Sequence, residues 1–264
     1  MAGTVKRVKL VYGERNSQFG HLYLPPAPAA GPVPLIVLVH GGYWSTEFAL
    51  TIESAVARDL ADRGAIVWNI EYRRVGEDGG GWPRTGNDVI AALSALDGPV
   101  RHAVGEDIAD RVAWAEVSVI GHSAGGQLAV WAASRLGAKT ERTTIATVIA
   151  QAAALDLCFG DRPARPSLRA LMGASNAQAP QLYADASPVD QPPFPAHVVA
   201  IHGDLDTSLP VDISRDYVQR VTAAGQSAEL IVVAGEGHDV FVDPRSRGHL
   251  ETVRVLGLPR RSKY

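Results

Sequence analysis

Cysteine is almost missing: Cys158 is the only one in 264 residues. That excludes an intrachain disulfide and any metal cluster built from cysteine alone, so nothing in the composition calls for an oxidising compartment. An excess of charge of one sign is missing too. The 25 Lys plus Arg against 28 Asp plus Glu leave a formal net charge of -3, whereas a nucleic-acid partner needs a concentrated positive field. Lys6, Arg7 and Lys9 are too sparse for that and read as the solvent side of a first strand. No apolar run approaches the roughly 20 residues that cross a bilayer, and MAGTVKRVKLVYGERN lacks the continuous apolar segment of an export signal. The expectation is a cytoplasmic protein with no membrane partner. There is no internal repeat, coiled-coil heptad or low-complexity tract, and Gly79-Gly80-Gly81 lacks the lysine and Ser/Thr of a phosphate-binding loop.

What is present is an alternation of strand-like and helix-like segments, punctuated by 26 glycines and 17 prolines that fall between them. Val5 to Tyr12 and Phe19 to Leu24 read as an N-terminal hairpin, followed by the stiff PPAPAAGPVP connection. Leu35 to Val39, Ala65 to Tyr72, Val117 to Gly121, Thr143 to Ala152, His197 to His202 and Ala228 to Val233 read as strands. Helical spacing marks Thr51 to Arg63, a helix beginning with Asp88 to Leu96, Ser123 to about Leu136, and Val211 to Ala223. Several strands have no polar face, which implies a mostly parallel sheet covered on both sides and made mixed by the hairpin. The expected architecture is one α/β domain over 1-264, with Trp131 packed in the core. Residues 156-195 are irregular apart from a helix near Ser167 to Met172, and form either a small lid over the site or a plain surface connection.

The chemistry concentrates at predicted strand ends. Gly121-His122-Ser123-Ala124-Gly125 is a G-x-S-x-G pattern that follows an apolar strand and opens a helix, the context of a nucleophile elbow. Serine needs a base to become a strong nucleophile. His238, in Gly235-Glu236-Gly237-His238-Asp239 after the last strand, is the best candidate among the histidines. Asp206, in His202-Gly203-Asp204-Leu205-Asp206, is the favoured orienting acid, with Asp204 as its competitor; if Asp206 faces His238, Asp204 can cap the local turn. Glu236 and Asp239 read as local turn groups, His122 as structural, His202 as support for the Asp206 loop, and His40 as a brace.

His40-Gly41-Gly42-Tyr43-Trp44 follows the strand Leu35 to Val39. Such a loop can aim the N-H of Gly42, with Tyr43 close behind, at an oxyanion that Ala124 N-H also faces. Tyr43, Trp44 and Trp82 are candidate walls of a substrate pocket, although Tyr43 and Trp44 would equally serve to brace the loop. Arg73 and Arg74 read as a solvated face rather than an acid-binding pair.

In this order HGGYW, GHSAGG, HGDLD and GEGH resemble the α/β-hydrolase superfamily, from the first strands through His238. The HGGxW form is most similar to bacterial kynurenine formamidases (arylformamidases) and their carboxylesterase relatives. The resemblance implies a central mostly parallel mixed sheet with helices on both faces, a Ser123-His238-Asp206 triad, an oxyanion hole near Gly42 and Ala124, and hydrolysis needing no metal or organic cofactor. It implies a small-molecule N-formyl aromatic amide such as N-formylkynurenine as substrate, with a small acyl ester as the alternative. A non-catalytic binding protein on the same scaffold is the reading from a different class.

Overall fold

The computed structural model describes residues 4-26, 31-159 and 165-259, without the side chain of residue 107. Two earlier expectations fall partly outside these residues: the middle of the PPAPAAGPVP connection and part of the 156-195 segment.

Eight strands form one sheet: β1 (Lys6–Val11), β2 (Phe19–Leu24), β3 (Leu35–Val39), β4 (Ile66–Ile70), β5 (Val117–His122), β6 (Ile145–Gln151), β7 (His197–Gly203) and β8 (Ala228–Val233). Their spatial order is β1-β2-β4-β3-β5-β6-β7-β8. β2 runs antiparallel to both neighbours, and every pair from β4 to β8 is parallel. This is the mixed, mostly parallel sheet read from the apolar runs.

Why β3 is apolar at every position follows from its surroundings. Leu35, Val37 and Val39 face one core and Ile36 and Leu38 the other, because successive side chains point to opposite faces of a strand. One face is covered by α1 (Ser54–Asp62) and, near the C-terminus, α9 (Arg247–Val255), which contribute Val56, Leu60 and Val253. The opposite face carries α2 (Arg84–Ser94), α3 (Pro99–Val104), α5 (Ala124–Arg135), α6 (Pro166–Met172), α7 (Pro180–Ala186) and α8 (Asp212–Ala223). A one-turn helix, α4 (Glu106–Ala109), follows α3. Trp131 on α5 is buried at 5% exposure and meets Trp82 edge-on, ring centroids 4.5 Å apart. No helix among the described residues is long and apolar enough to cross a membrane.

Two readings of the sequence change here. α2 begins at Arg84, before Asp88, with Pro83 at its N-cap and the Asn87 N-H bonded to the Pro83 carbonyl at 2.9 Å. Arg73 and Arg74 are not a solvated face: Arg73 pairs with the buried Asp88 at 2.6 Å, and Arg74 with Glu77 at 2.6 Å and with Glu71 at 3.3 Å. Burial against those carboxylates takes both guanidiniums largely out of water.

Candidate active site

Each loop of the site leaves the C-terminal end of a parallel strand. β5 ends at His122 and α5 starts at Ala124, so Ser123 occupies the whole bend, at φ 53° and ψ -117°. A non-glycine residue in that region is strained, and close packing holds it there. A Cβ on Gly125 would come within 2.1 Å of the Val39 carbonyl oxygen, and one on Gly121 within 2.2 Å of the Gly125 carbonyl oxygen. Only glycine lets β5, α5 and the end of β3 approach this closely. The strain is thereby kept local, and the Ser123 hydroxyl is presented above the sheet.

The Ser123 hydroxyl donates to His238 Nε2 at 2.9 Å, and His238 Nδ1-H donates to Asp206 Oδ2 at 2.6 Å. His238 follows β8 and Asp206 follows β7, so three strand ends converge on one chain of hydrogen bonds. Asp206 accepts on both oxygens: Oδ1 takes the N-H groups of Ser208 and Leu209, each at 2.8 Å, and Oδ2 also takes His202 Nε2-H at 3.1 Å. Burial by itself would raise this carboxyl, but hydrogen bonds from His202, His238 and Leu209 and the charge of His238 outweigh it and hold Asp206 far below the usual carboxylate range. Asp204 does something else: its Oδ1 accepts the Gly235 N-H at 2.6 Å and ties the β7 and β8 loops together. Glu236 accepts the N-H groups of Arg247 and Gly248 and so caps α9.

His122 lies under the triad with its ring centroid 5.0 Å from that of His238, and its Nε2-H donates to the His238 carbonyl at 2.9 Å. Burial, then repulsion from His238, pushes its pKa down to about 4. The folded protein therefore resists a proton that the unfolded chain accepts near pH 6.5, so stability falls as pH drops from about 6.5 to about 4. We expect His122→Gln, which keeps a neutral donor, to remove up to about 3 kcal/mol of this acid sensitivity. Parallel urea titrations at pH 7 and pH 4.5 check it; equal acid losses in both proteins would refute the assignment.

Gly42, Tyr43 and Trp44 all have positive φ, 110°, 56° and 55°. Two bulky residues in succession in this region are held by outside contacts. Trp44 Nε1-H donates to Gln127 Oε1 at 3.0 Å, and Gln127 Nε2-H donates to the Ala186 carbonyl at 2.9 Å. The buried indole thus bridges the loop, α5 and the end of α7. Among the described residues no acceptor takes the N-H of Gly42 or Tyr43, and Ala124, first in α5, has no intrahelical acceptor by position.

A cavity of about 30 Å³ touches Ser123 and His238 and is walled by Tyr43, Trp44, Ala124, Ala154, Arg165, Ser167 and Leu209. Next to it lies an apolar chamber of about 150 Å³ formed by Leu157, Phe159, Leu168, Pro210 and Ile213. The two share Trp44, Ala154, Arg165 and Leu209 as walls. Trp82 is not among the residues lining either; it packs on Trp131. Arg165, Ser167 and Phe159 had no local signal, since nothing in their own stretch of sequence ties them to the strand ends that carry the triad. Gln127 did have one: a glutamine four residues after Ser123 on an otherwise apolar helix. A larger cavity of about 860 Å³ between β8 and α9 contains none of these residues.

His122, His238 and Asp239 bring ligand-type atoms within 4.8 Å of one another. They do not fit a metal in this arrangement, since both nitrogens of His238 and Nε2 of His122 already hold protein partners. What the geometry offers is an activated hydroxyl, a base oriented by an anion, and free N-H groups beside it: the parts of a serine-dependent hydrolase.

Comparison with known proteins gives a family and a shared fold. The family model BD-FAE matches residues 21–221. The chain is 26% identical to esterase LipC of Mycobacterium tuberculosis (strain ATCC 25618 / H37Rv) over 253 residues, covering 89% of this chain and 60% of that protein. It thus spans less than two thirds of that relative's length. In fold it is similar to a truncated carbohydrate esterase from gut microbiota, with TM-score 0.79, 18% identity, and 97% and 96% of the two chains covered. It is also similar to a bacterial heroin esterase, with TM-score 0.74, 22% identity and coverage of 96% and 83%.

Proposed function

This chain belongs to the BD-FAE family and is a serine-dependent hydrolase, and from that premise we propose that it is a carboxylesterase acting on small acyl esters. The observation that carries the reading is the Ser123-His238-Asp206 relay opening onto a cavity of about 30 Å³, a space suited to a short acyl group. His238 accepts the Ser123 proton as Oγ attacks the ester carbonyl, while Asp206 holds the imidazole in position and stabilises the imidazolium. Gly42, Tyr43 and Ala124 N-H groups meet the oxyanion. His238 then protonates the departing alcohol, and water activated by His238 releases the acid and regenerates Ser123. The 156-195 segment is the substrate-facing element of this reading, through Leu157, Phe159, Arg165, Ser167 and Leu168.

An N-formyl aromatic amide such as N-formylkynurenine is the second substrate reading. It is supported by the neighbouring apolar chamber of about 150 Å³, since a dry cavity of about that size accommodates benzene. An ester has the better leaving group, so turnover of a nitrophenyl ester reports nucleophile competence and does not choose between them. The test compares kcat/KM for a series of acyl esters with that for N-formylkynurenine. We expect acetyl and propionyl esters to exceed octanoyl esters by at least about tenfold and to exceed the formamide. A higher kcat/KM for the formamide would reverse the assignment. Failure of a serine-reactive phosphonate to label Ser123 in the folded protein would favour a binding protein instead.

A further inference from the structure

The oxyanion loop rests on a buried histidine whose two nitrogens both face acceptors. His40 Nδ1 lies 2.7 Å from the Gly41 carbonyl oxygen, and Nε2 lies 2.7 Å from Glu71 Oε1. A carbonyl oxygen can only accept. Glu71 is also confined to accepting: it takes the Tyr72 N-H on Oε1 and the Leu50 N-H on Oε2, each at 3.0 Å, and pairs with Arg74 at 3.3 Å. Burial would raise this carboxyl, but the hydrogen bond and charge of His40 and the charge of Arg74 hold it below its ordinary value. A neutral imidazole carries one N-H and could satisfy only one of these two contacts. Both are satisfied when the ring carries two protons.

One further neighbour suits a cation. The Tyr72 ring stacks on the imidazole at 4.4 Å and 12°, the placement in which an aromatic face attracts positive charge. The Tyr72 hydroxyl donates to the His40 carbonyl at 2.8 Å, and the Tyr12 hydroxyl donates to the Glu71 carbonyl. The counter-ion is Glu71, with Arg74 behind it.

The place of this charge matters because the Gly41 carbonyl and the Gly42 N-H are the two ends of one peptide unit. We propose that His40 is held as an imidazolium and serves as a positioning residue for hydrolysis: by donating to the Gly41 carbonyl it orients and polarises that peptide, strengthening the Gly42 N-H as a donor to the oxyanion. Hydrogen bonds in such a chain reinforce one another in a low-dielectric interior. The inference rests on the reading of Gly42 as an oxyanion donor. It adds a fixed positive charge behind the donor, and that charge does not touch the substrate.

The ring state is read directly by long-range ¹H–¹⁵N correlation of the histidine side chains in the wild-type protein at pH 7.5, with the His40 signals assigned by their loss in His40→Asn. Two protonated-type nitrogens are expected; one protonated and one bare nitrogen overturns the proposal, whatever the kinetics. Asparagine can still donate from near the Nδ1 position but carries no charge. For His40→Asn we expect kcat on a short ester to fall about tenfold, with KM within about twofold and affinity for a boronic acid transition-state analogue weakened by the same factor as kcat. Unchanged kcat in the folded variant overturns the proposal, and so does a rise in KM alone. If His40→Asn does not fold, Glu71→Gln is the substitute, expected to lose one of the two protonated-nitrogen signals and the same share of kcat; retention of both signals and full kcat overturns the proposal. Failure of the wild-type enzyme to hydrolyse esters would count against the esterase reading and would leave the nitrogen measurement to judge the ring state alone.

Discussion

Ser123→Ala is expected to abolish acyl transfer, lowering kcat for a short ester by on the order of a millionfold while the protein still folds. The expectation of intact folding has a structural reason. Among the described residues the Ser123 hydroxyl bonds only to His238, and the sharp bend is secured by backbone contacts around Gly121 and Gly125 and by the Ser123 N-H bond to the Gln151 carbonyl at 2.8 Å. Alanine fills the same space as serine without its oxygen. Steady-state kinetics together with thermal melting of the purified variant check both halves. Turnover close to wild type in a folded Ser123→Ala protein would mean that the nucleophile lies elsewhere.

The second large effect separates two aspartates that are neighbours in sequence. Asp206→Asn is expected to lower kcat by about 10⁴, and Asp204→Asn to leave it within a few-fold. Among the described residues all four hydrogen-bond partners of Asp206 are donors: His238, His202, Ser208 and Leu209. An asparagine there has no face on which to turn its NH₂, so it either clashes with a donor or forces His238 into the wrong tautomer. Asp204 accepts one N-H, from Gly235, and an amide oxygen accepts it equally well. The two isosteric substitutions, assayed side by side on one ester with both proteins shown to be folded, test the assignment. The reverse ranking would move the orienting role to Asp204.

How far this site could be read from the sequence depended on whether its parts are local. The elbow was legible because strand, bend and helix are contiguous and the glycines around Ser123 have a steric reason. Asp206 and His238 were legible as loops after strands, and β2, β3 and β8 appear with the boundaries read from their residues. The cavity walls were not legible, since Arg165 and Leu209 meet only through tertiary folding. α9 was overlooked because its apolar positions are few and Leu250 faces outward at 44% exposure. Its signal was the cap, where the Ser246 side chain accepts the His249 N-H. The Arg73 and Arg74 pairs were hidden for a related reason: Asp88 lies 15 residues along the chain from Arg73, and only the packing of α2 on the sheet brings them together.

The order of strands has a consequence for how activity is lost. Ser123 is carried by β5, which has β3 and β4 parallel to it on one side and β6, β7 and β8 on the other, whereas His238 follows β8, which lies at the sheet margin, pairs with β7 and leaves Val232 41% exposed. Proteins open in cooperative units of unequal free energy, and a sheet's margin opens more readily than its middle. Fraying of β8 withdraws the base from a serine that stays on its bend. Such a molecule would retain nearly all its secondary structure and lack catalysis, so mild heat or denaturant is expected to inactivate this enzyme ahead of its global melt. Amide exchange along β8 is then the clock for inactivation, and exchange along β5 the clock for unfolding.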